Sequence, residues 1–328
     1  MPKIRWGLVS TANINRRLIP AIRASERGEL VAVASRSQSK ADDYARQWEI
    51  PTAFGNYQAM LDSDLVDAVY VSLPNHLHAE WSIRALQAGK HVLCEKPLAI
   101  SVEEVDQMIS ASQSSGKVLA EAFMYLHHPQ TTIARQWLLE GNLGEICSVQ
   151  TSFTFKIANS DNVRLVPEYG GGCLWDVGIY PVSLVMTLLG GLPEWVAAAQ
   201  WLGPTGVDEH FSGLLAFSGN RQAQIVASFR TPFSTHAEIL GTGGRLVMTR
   251  PFIGLEDNRR LTFFPRDGEP QEIPVPEKPL YLGEVEDMHA AILDEHHQYL
   301  PLERSRQWIR VLSDLYQAAN QQTIVALA

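Results

Sequence analysis

Over the first hundred and twenty residues, short apolar runs rich in β-branched side chains alternate with segments whose apolar residues recur at helical spacing. That alternation restricts the chain to very few folds. The runs are Ile4 to Ser10, Leu30 to Ser35, Val66 to Ser72, His91 to Cys94 and Val118 to Ala122, and between them lie sets such as Ile14, Leu18, Ile22 and then Ile83, Leu86. Strands separated by helices need a crossover connection and pair in parallel, so this part reads as βαβ units building a doubly wound parallel sheet. Ser101-Val102-Glu103-Glu104 is a capping-box signature and starts a helix there.

Open parallel sheets bind ligands at the carboxyl ends of their strands. The polar residues at those ends are therefore the candidates for function. The first strand runs into Gly7-Leu8-Val9-Ser10-Thr11-Ala12-Asn13-Ile14-Asn15, where a nucleotide fold places its phosphate loop. The positions of a Gly-x-Gly-x-x-Gly loop read Ser10, Ala12 and Asn15. Small residues still let the backbone approach a pyrophosphate, and Ser10, Thr11 and Asn13 add hydrogen-bonding groups for phosphate oxygens. An ordinary strand-to-helix turn capped by Thr11 or Asn13 is the competing reading. The second strand ends in Ser35-Arg36-Ser37. An acidic residue there would bind the ribose 2′-hydroxyl of NAD, whereas arginine accommodates a 2′-phosphate, so Arg36 with its flanking serines favours NADP over NAD.

The next strand end reads Ser72-Leu73-Pro74-Asn75-His76-Leu77-His78. Asn75 is a candidate helix cap, and the residues around it fall under the nicotinamide half of a cofactor spread across the sheet. His76 and His78, two apart, do not share a helix face, and no carboxylate or thiol completes a metal site with them. The stretch Gly89 to Leu98 then carries Glu95-Lys96-Pro97 at its end. Lys96 is the first candidate for chemistry, because burial beside a cofactor would lower a lysine's pKa and Pro97 restricts the conformations open to it.

From about Tyr125 the pattern changes. A helix from Pro129 to Gly141 leads into a long alternating strand, Glu145 to Ile157, with Val149, Thr151, Phe153 and Phe155 on one face. Strand patterns follow at Val196 to Leu202, Phe211 to Phe217, Gln222 to Phe229, Ala237 to Leu240, Arg245 to Met248 and Leu261 to Phe264, joined by turns such as Ser218-Gly219-Asn220. The expectation is a two-domain chain: a dinucleotide-binding domain over 1–124, and an α+β domain over 125–328 built on an open, largely antiparallel sheet. One face of that sheet needs a cover that no second helical layer here provides, which points to a homo-oligomer, a dimer or tetramer. The helical Tyr281 to Ala328 segment is expected to pack near the first domain.

Glycines Gly170 to Gly172 precede the amphipathic run Leu174 to Leu189. On an α-helix Asp176 and Tyr180, four apart, would share a face and meet one ligand. Arg164, upstream, is either a substrate contact or simply exposed.

With 328 residues, the formal charge is −9 and the pI about 5.6. Nucleic acid and anionic membrane are poor partners for such a chain, since both need a basic surface. Cys94, Cys147 and Cys173 are odd in number and without metal or redox spacing. No signal-peptide pattern appears at the N-terminus, and the apolar run Val182 to Leu192 is too short to span a bilayer. A cytoplasmic protein is the expectation.

The motifs Gly7 to Ile14, Pro74-Asn75-x-x-His78, Glu95-Lys96-Pro97 and Gly170-Gly171-Gly172-x-x-x-Asp176-Val177-Gly178-x-Tyr180 together resemble the glucose-fructose oxidoreductase and inositol dehydrogenase family, Gfo/Idh/MocA. With Phe123-Met124-Tyr125 and His128-Pro129-Gln130, the tyrosine at 180 looks most like the dihydrodiol dehydrogenase and NADP-linked D-xylose dehydrogenase subgroup. The resemblance implies a cofactor site of Ser10, Thr11, Ala12, Asn13, Ile14, Leu73, Pro74, Asn75, His78, Glu95 and Lys96, to which the end of the second strand adds Ser35, Arg36 and Ser37. It further implies catalysis by Lys96, Asp176 and Tyr180 on a sugar or vicinal diol. Hydride would pass between the nicotinamide C4 and a carbinol carbon. Tyr180 serves as acid/base with Lys96 lowering its pKa, or Lys96 serves as base with Tyr180 orienting. A ligand sensor on the same fold, a sugar–sugar oxidoreductase with tightly held cofactor, and a redox-neutral glycoside-cleaving enzyme are the other readings.

Overall fold

The computed structural model describes residues 2–253 and 259–327. In chain order the elements are β1 (Ile4–Val9), α1 (Asn15–Ala24), β2 (Gly28–Ala34), α2 (Gln38–Trp48), β3 (Thr52–Phe54), α3 (Tyr57–Leu61), β4 (Ala68–Val71), α4 (His78–Gln87), β5 (His91–Glu95), α5 (Val102–Ser115) and β6 (Leu119–Ala122). There follow α6 (Pro129–Leu139), β7 (Ile146–Thr154), α7 (Ile179–Leu189), β8 (Trp195–Leu202), β9 (Asp208–Phe217), β10 (Arg221–Ser228), β11 (Ser234–Gly241), β12 (Gly244–Thr249), β13 (Arg260–Pro265), β14 (Gln271–Ile273), α8 (Leu282–Leu293), α9 (Leu302–Gln321) and β15 (Val325–Ala326). They form two compact units. Residues Met1–Met124 and Pro279–Arg306 make the first, and Tyr125–Lys278 with Gln307–Ala328 the second. The segment expected within the 125–328 domain is thus divided, with Pro279–Arg306 in the first unit and Gln307–Ala328 in the second.

In the first unit six strands in the order β3-β2-β1-β4-β5-β6 pair in parallel throughout. The connections run outward in opposite directions from β1 and β4, so the crevice of a doubly wound sheet opens at their carboxyl ends. All four residues of β4 are buried, as befits a strand covered by helices on both faces. The capping box is real but shifted. Ser101 Oγ accepts from Glu104 N at 3.1 Å, while Glu104 Oε2 accepts from Ile100 N at 3.0 Å.

The second unit holds a nine-stranded sheet, β14-β13-β12-β11-β7-β10-β9-β8-β15. It is antiparallel except where β10 runs parallel to β7, from Gln222 opposite Ser148 to Ser228 opposite Thr154. Val149, Phe153, Ala223, Ile225, Ala227, Ala237 and Ile239 face a helical layer and are buried. On the other face Gln150, Gln222, Gln224 and His236 are exposed. All eleven residues of α7 are buried, so this is a core helix apolar all round and not the amphipathic one its sequence suggested. The helical stretch Pro167–Leu189 is long and apolar enough to cross a membrane, yet 89% of its apolar window is buried inside the structure, as in the core helix of a globular unit.

A buried polar contact in the first unit fixes a protonation state. Trp6 Nε1–H donates to His289 Nε2 at 2.9 Å, and His289 Nδ1 lies 3.0 Å from Ser25 Oγ. An indole N–H only donates, so Nε2 carries no proton and the ring is neutral. Burial, with the Arg27 charge adding to it, pushes the His289 pKa down to about 4. An unfolded histidine titrates near ~6.5, so the unfolded chain binds more protons between the two values. The stabilisation is complete above about 6.5 and is lost as pH falls through about 4. Urea midpoints measured across that range should fall steadily towards acid. At neutral pH Trp6→Phe, which strands a buried acceptor, should cost about 1–3 kcal/mol.

Candidate active site

The loop after β1 turns its corner without the glycines of a Gly-x-Gly-x-x-Gly loop. Ser10 sits at φ 123, a left-handed backbone conformation that glycine takes freely and a side chain does not. A closed set of hydrogen bonds holds it there. Ala12 N donates to Ser10 Oγ at 3.1 Å, and Ser10 Oγ lies 2.8 Å from Ser72 Oγ. Ser72 Oγ donates to Asn15 Oδ1 at 2.7 Å, and Asn15 Nδ2 donates back to Ser10 O at 2.9 Å. Ser10 and Asn15 are buried, while Thr11, Ala12 and Ile14 are partly open and Asn13 is exposed. The first turn of α1 has no acidic residue, and Ile14 before it offers no side-chain cap. Its N–H groups and the helix dipole therefore suit an anion. At the end of β2, Ser35 is buried and Arg36 is exposed; Ser37 Oγ pairs with Ser39 Oγ at 3.1 Å. These residues fit a dinucleotide whose adenosine carries a 2′-phosphate.

The turn carrying Lys96 is held at several points. Tyr70 Oη donates to Glu95 Oε1, and Glu95 Oε2 accepts from Lys96 N at 3.2 Å. The Lys96–Pro97 peptide is cis. Leu98 N donates to Glu121 Oε1 at 2.8 Å, and burial pushes the Glu121 carboxyl up to about 7. Lys96 itself is half-buried. His78 heads α4, is 1% exposed, and its Nδ1 and Nε2 each lie 2.7 Å from a carbonyl, of Pro97 and Leu73. Burial pushes its pKa down to about 4 against the pull of those carbonyls. The neutral ring carries one N–H, which donates to one of these two carbonyls and so ties a loop backbone to the start of α4. Leu73 is buried beside it, and Asn75 opens a single helical turn, Asn75–Leu77, without capping α4, which Leu77 precedes.

In the second unit Arg164, Asp176 and Tyr180 come from one continuous stretch. Asn162 Oδ1 caps the short turn Val163–Leu165 by accepting from Arg164 N at 3.1 Å. Arg164 Nε then reaches Asp176 Oδ2 at 2.5 Å. Gly171 is required because a Cβ would lie 2.6 Å from Arg164 O. Asp176 sits in a π-helical turn, Leu174–Gly178, that precedes α7. The regular α-helix expected from the four-residue spacing thus begins only at Ile179, after this wider turn. Tyr180 is 5% exposed, and its ring packs against Tyr125, Phe153 and Phe252 at centroid distances of 5.7, 5.2 and 5.5 Å. Lys96 belongs to the first unit and these three residues to the second.

Sequence reasoning missed Tyr70 and Glu121. Glu121 had a signal, a carboxylate inside the apolar strand Leu119–Ala122, where a buried polar residue is informative. Among the described residues no cluster of three or more His, Cys, Asp or Glu is placed to hold a metal ion.

Residues 4–123 match the oxidoreductase family with an NAD-binding Rossmann fold, and residues 131–247 match the GFO/IDH/MocA C-terminal domain. The chain belongs to the Gfo/Idh/MocA oxidoreductase family. It is 40% identical to the D-xylose 1-dehydrogenase (NADP(+)) 2 of Haloferax volcanii, covering 74% of each chain. It is 33% identical to the trans-1,2-dihydrobenzene-1,2-diol dehydrogenase of Sus scrofa, over 76% of this chain and 75% of that one. A crystal structure of a 3-ketoreductase from Actinomadura kijaniata in complex with NADP and TDP-benzene superposes with a TM-score of 0.91 at 32% identity, covering 96% of this chain and 98% of the other.

The Ser10 lattice can be tested by paired substitutions. Ser10→Ala keeps the strained φ and removes the hydroxyl, so it should weaken NADPH binding and lower the melting temperature. Ser10→Gly relaxes the backbone and should be the milder of the two in both fluorescence titration and thermal melts.

Proposed function

We infer that this chain is an NADP-dependent oxidoreductase that transfers a hydride between the nicotinamide and a secondary alcohol or carbonyl carbon of a sugar, sugar derivative or trans-dihydrodiol. The observation that carries the reading is Lys96, held at the carboxyl end of β5 by fixed neighbours in a sheet whose β1 loop and Arg36 suit NADP. NAD is the alternative cofactor, which lacks the phosphate that Arg36 would meet. When bound, the nicotinamide supplies or accepts the hydride. The protein's part is to bind and orient the substrate and to move the hydroxyl proton.

Tyr180 is assigned as acid/base and Lys96 as the cation that binds the substrate oxygen and lowers the phenol's pKa from its ordinary ~10. The reverse assignment, Lys96 as base and Tyr180 orienting, uses the same residues. Asp176 and Arg164, already paired, position the substrate hydroxyls. Thr11, Ala12, Asn13, Ile14, Pro74 and Asn75 complete the cofactor contacts. Free cysteines at 94, 147 and 173 suit a reducing cytoplasm. The open face of the second unit's sheet suits a homo-oligomer, a dimer or tetramer.

Lys96→Ala and Tyr180→Phe should each lower kcat about 10²–10⁴-fold, the range of general acid–base catalysis, while NADPH binding persists. Near-full activity in either variant would remove it from the mechanism. Arg36→Ala should weaken NADPH by about 10–100-fold and leave NADH nearly unchanged, from the loss of a charge-assisted bond. Equal loss for both nucleotides would remove the 2′-phosphate assignment.

A further inference from the structure

The helical segment that carries Asp176 and Tyr180 begins without a cap of its own. Cys173 occupies the cap position and gives no side-chain cap bond, although the first N–H groups of any helix need partners. A carboxylate from a distant strand supplies one. Asp208, the first residue of β9, is 2% exposed. Its Oδ2 accepts from Leu174 N at 2.8 Å and from Cys173 Sγ at 3.0 Å, and its Oδ1 accepts from Tyr316 Oη at 2.7 Å. Tyr316, on α9, is wedged between Trp175 and Phe211 at ring-centroid distances of 5.5 and 5.6 Å. Gly172, at φ 124, leaves the space this needs, since a Cβ there would overlap the Asp208 carboxylate and lie 2.8 Å from Tyr316 Oη.

A carboxylate is costly to bury, and a position that served packing alone would be apolar. Here three donors converge on it, and the positive end of a helical segment faces it. From this capped end the geometry passes straight into the site: Asp176 N bonds Gly172 O at 3.2 Å, and the Asp176 carboxylate reaches Arg164.

We propose that Asp208 and Tyr316 form a clamp that sets the π-helical turn, making them positioning residues for Asp176 and Tyr180. The proposal rests on the roles given to those two residues above. Tyr316 acts by donating to the carboxylate and by fixing Trp175, the neighbour of Asp176; Asp208 acts by holding Leu174 N. Neither touches substrate. Burial and the adjoining carboxylate push the Tyr316 phenol well above its ordinary range, so it stays a donor at working pH.

The test compares full-length Tyr316→Phe, Asp208→Asn and Asp208→Ala with the wild type. Tyr316→Phe keeps the ring packing and should melt within a few degrees of the wild type. Its kcat should nevertheless fall about 10–100-fold, the scale of an ångström-sized misplacement, with NADPH affinity unchanged. Asp208→Asn keeps an acceptor oxygen and should lose less than Asp208→Ala. Amide hydrogen exchange over residues 173–177 should quicken in all three. Wild-type kcat and exchange in Tyr316→Phe would overturn the proposal, as would losses of kcat, NADPH affinity and melting temperature in proportion, which mark a merely structural role. Should the wild type turn over no sugar or diol, the activity reading fails on its own, and exchange at 173–177 still decides the clamp.

Discussion

Each loop that bears a candidate functional residue leaves the regular ladder of a strand or helix, and the backbone groups it uncovers must find partners or cost free energy. This chain meets that constraint with buried polar side chains drawn from other elements. Ser72 and Asn15 hold the turn after β1, Glu121 takes the Leu98 N–H, His78 sits between the carbonyls of Leu73 and Pro97, and Asp208 takes the Leu174 N–H. Each of these side chains is nine-tenths buried or more.

The arrangement explains how the loop after β1 holds its turn without glycine at the positions of a Gly-x-Gly-x-x-Gly loop. Glycine lets a backbone turn with little steric cost; Ser10 turns the same corner at a conformational penalty that its hydroxyl network offsets. The two solutions differ in what they demand of the surroundings. A glycine loop is indifferent to its neighbours, whereas this one needs Ser72 at the end of the adjacent strand and Asn15 at the start of α1.

Much of the architecture was legible because period-two and period-3.6 patterns are local. The parallel sheet of the first unit and the strands β7 to β13 could be read from them. Three features lay beyond such reading. β3, β14 and β15 are three residues or fewer and too short to show a period. The parallel pairing of β7 with β10 is set by packing between segments some seventy residues apart, not by either strand's own sequence. The π-helical turn depends on a partner, Asp208, outside the stretch it shapes. His78 shows the remaining limit. Its place at a strand's carboxyl edge was readable, but the direction in which its ring points was not, and it points inward.

The ring of Tyr180 is enclosed by Tyr125, Phe153 and Phe252, and that enclosure acts selectively on its two side-chain torsions. A half-turn about χ2 exchanges the two edges of a phenol ring and leaves its oxygen on the rotation axis, so such flips do not displace the hydroxyl. Only χ1 swings it away, and the rotamers open to a helical residue are few. Three neighbouring rings packed against it oppose that swing. The phenolic oxygen is therefore a fixed point on a side chain that is otherwise able to move.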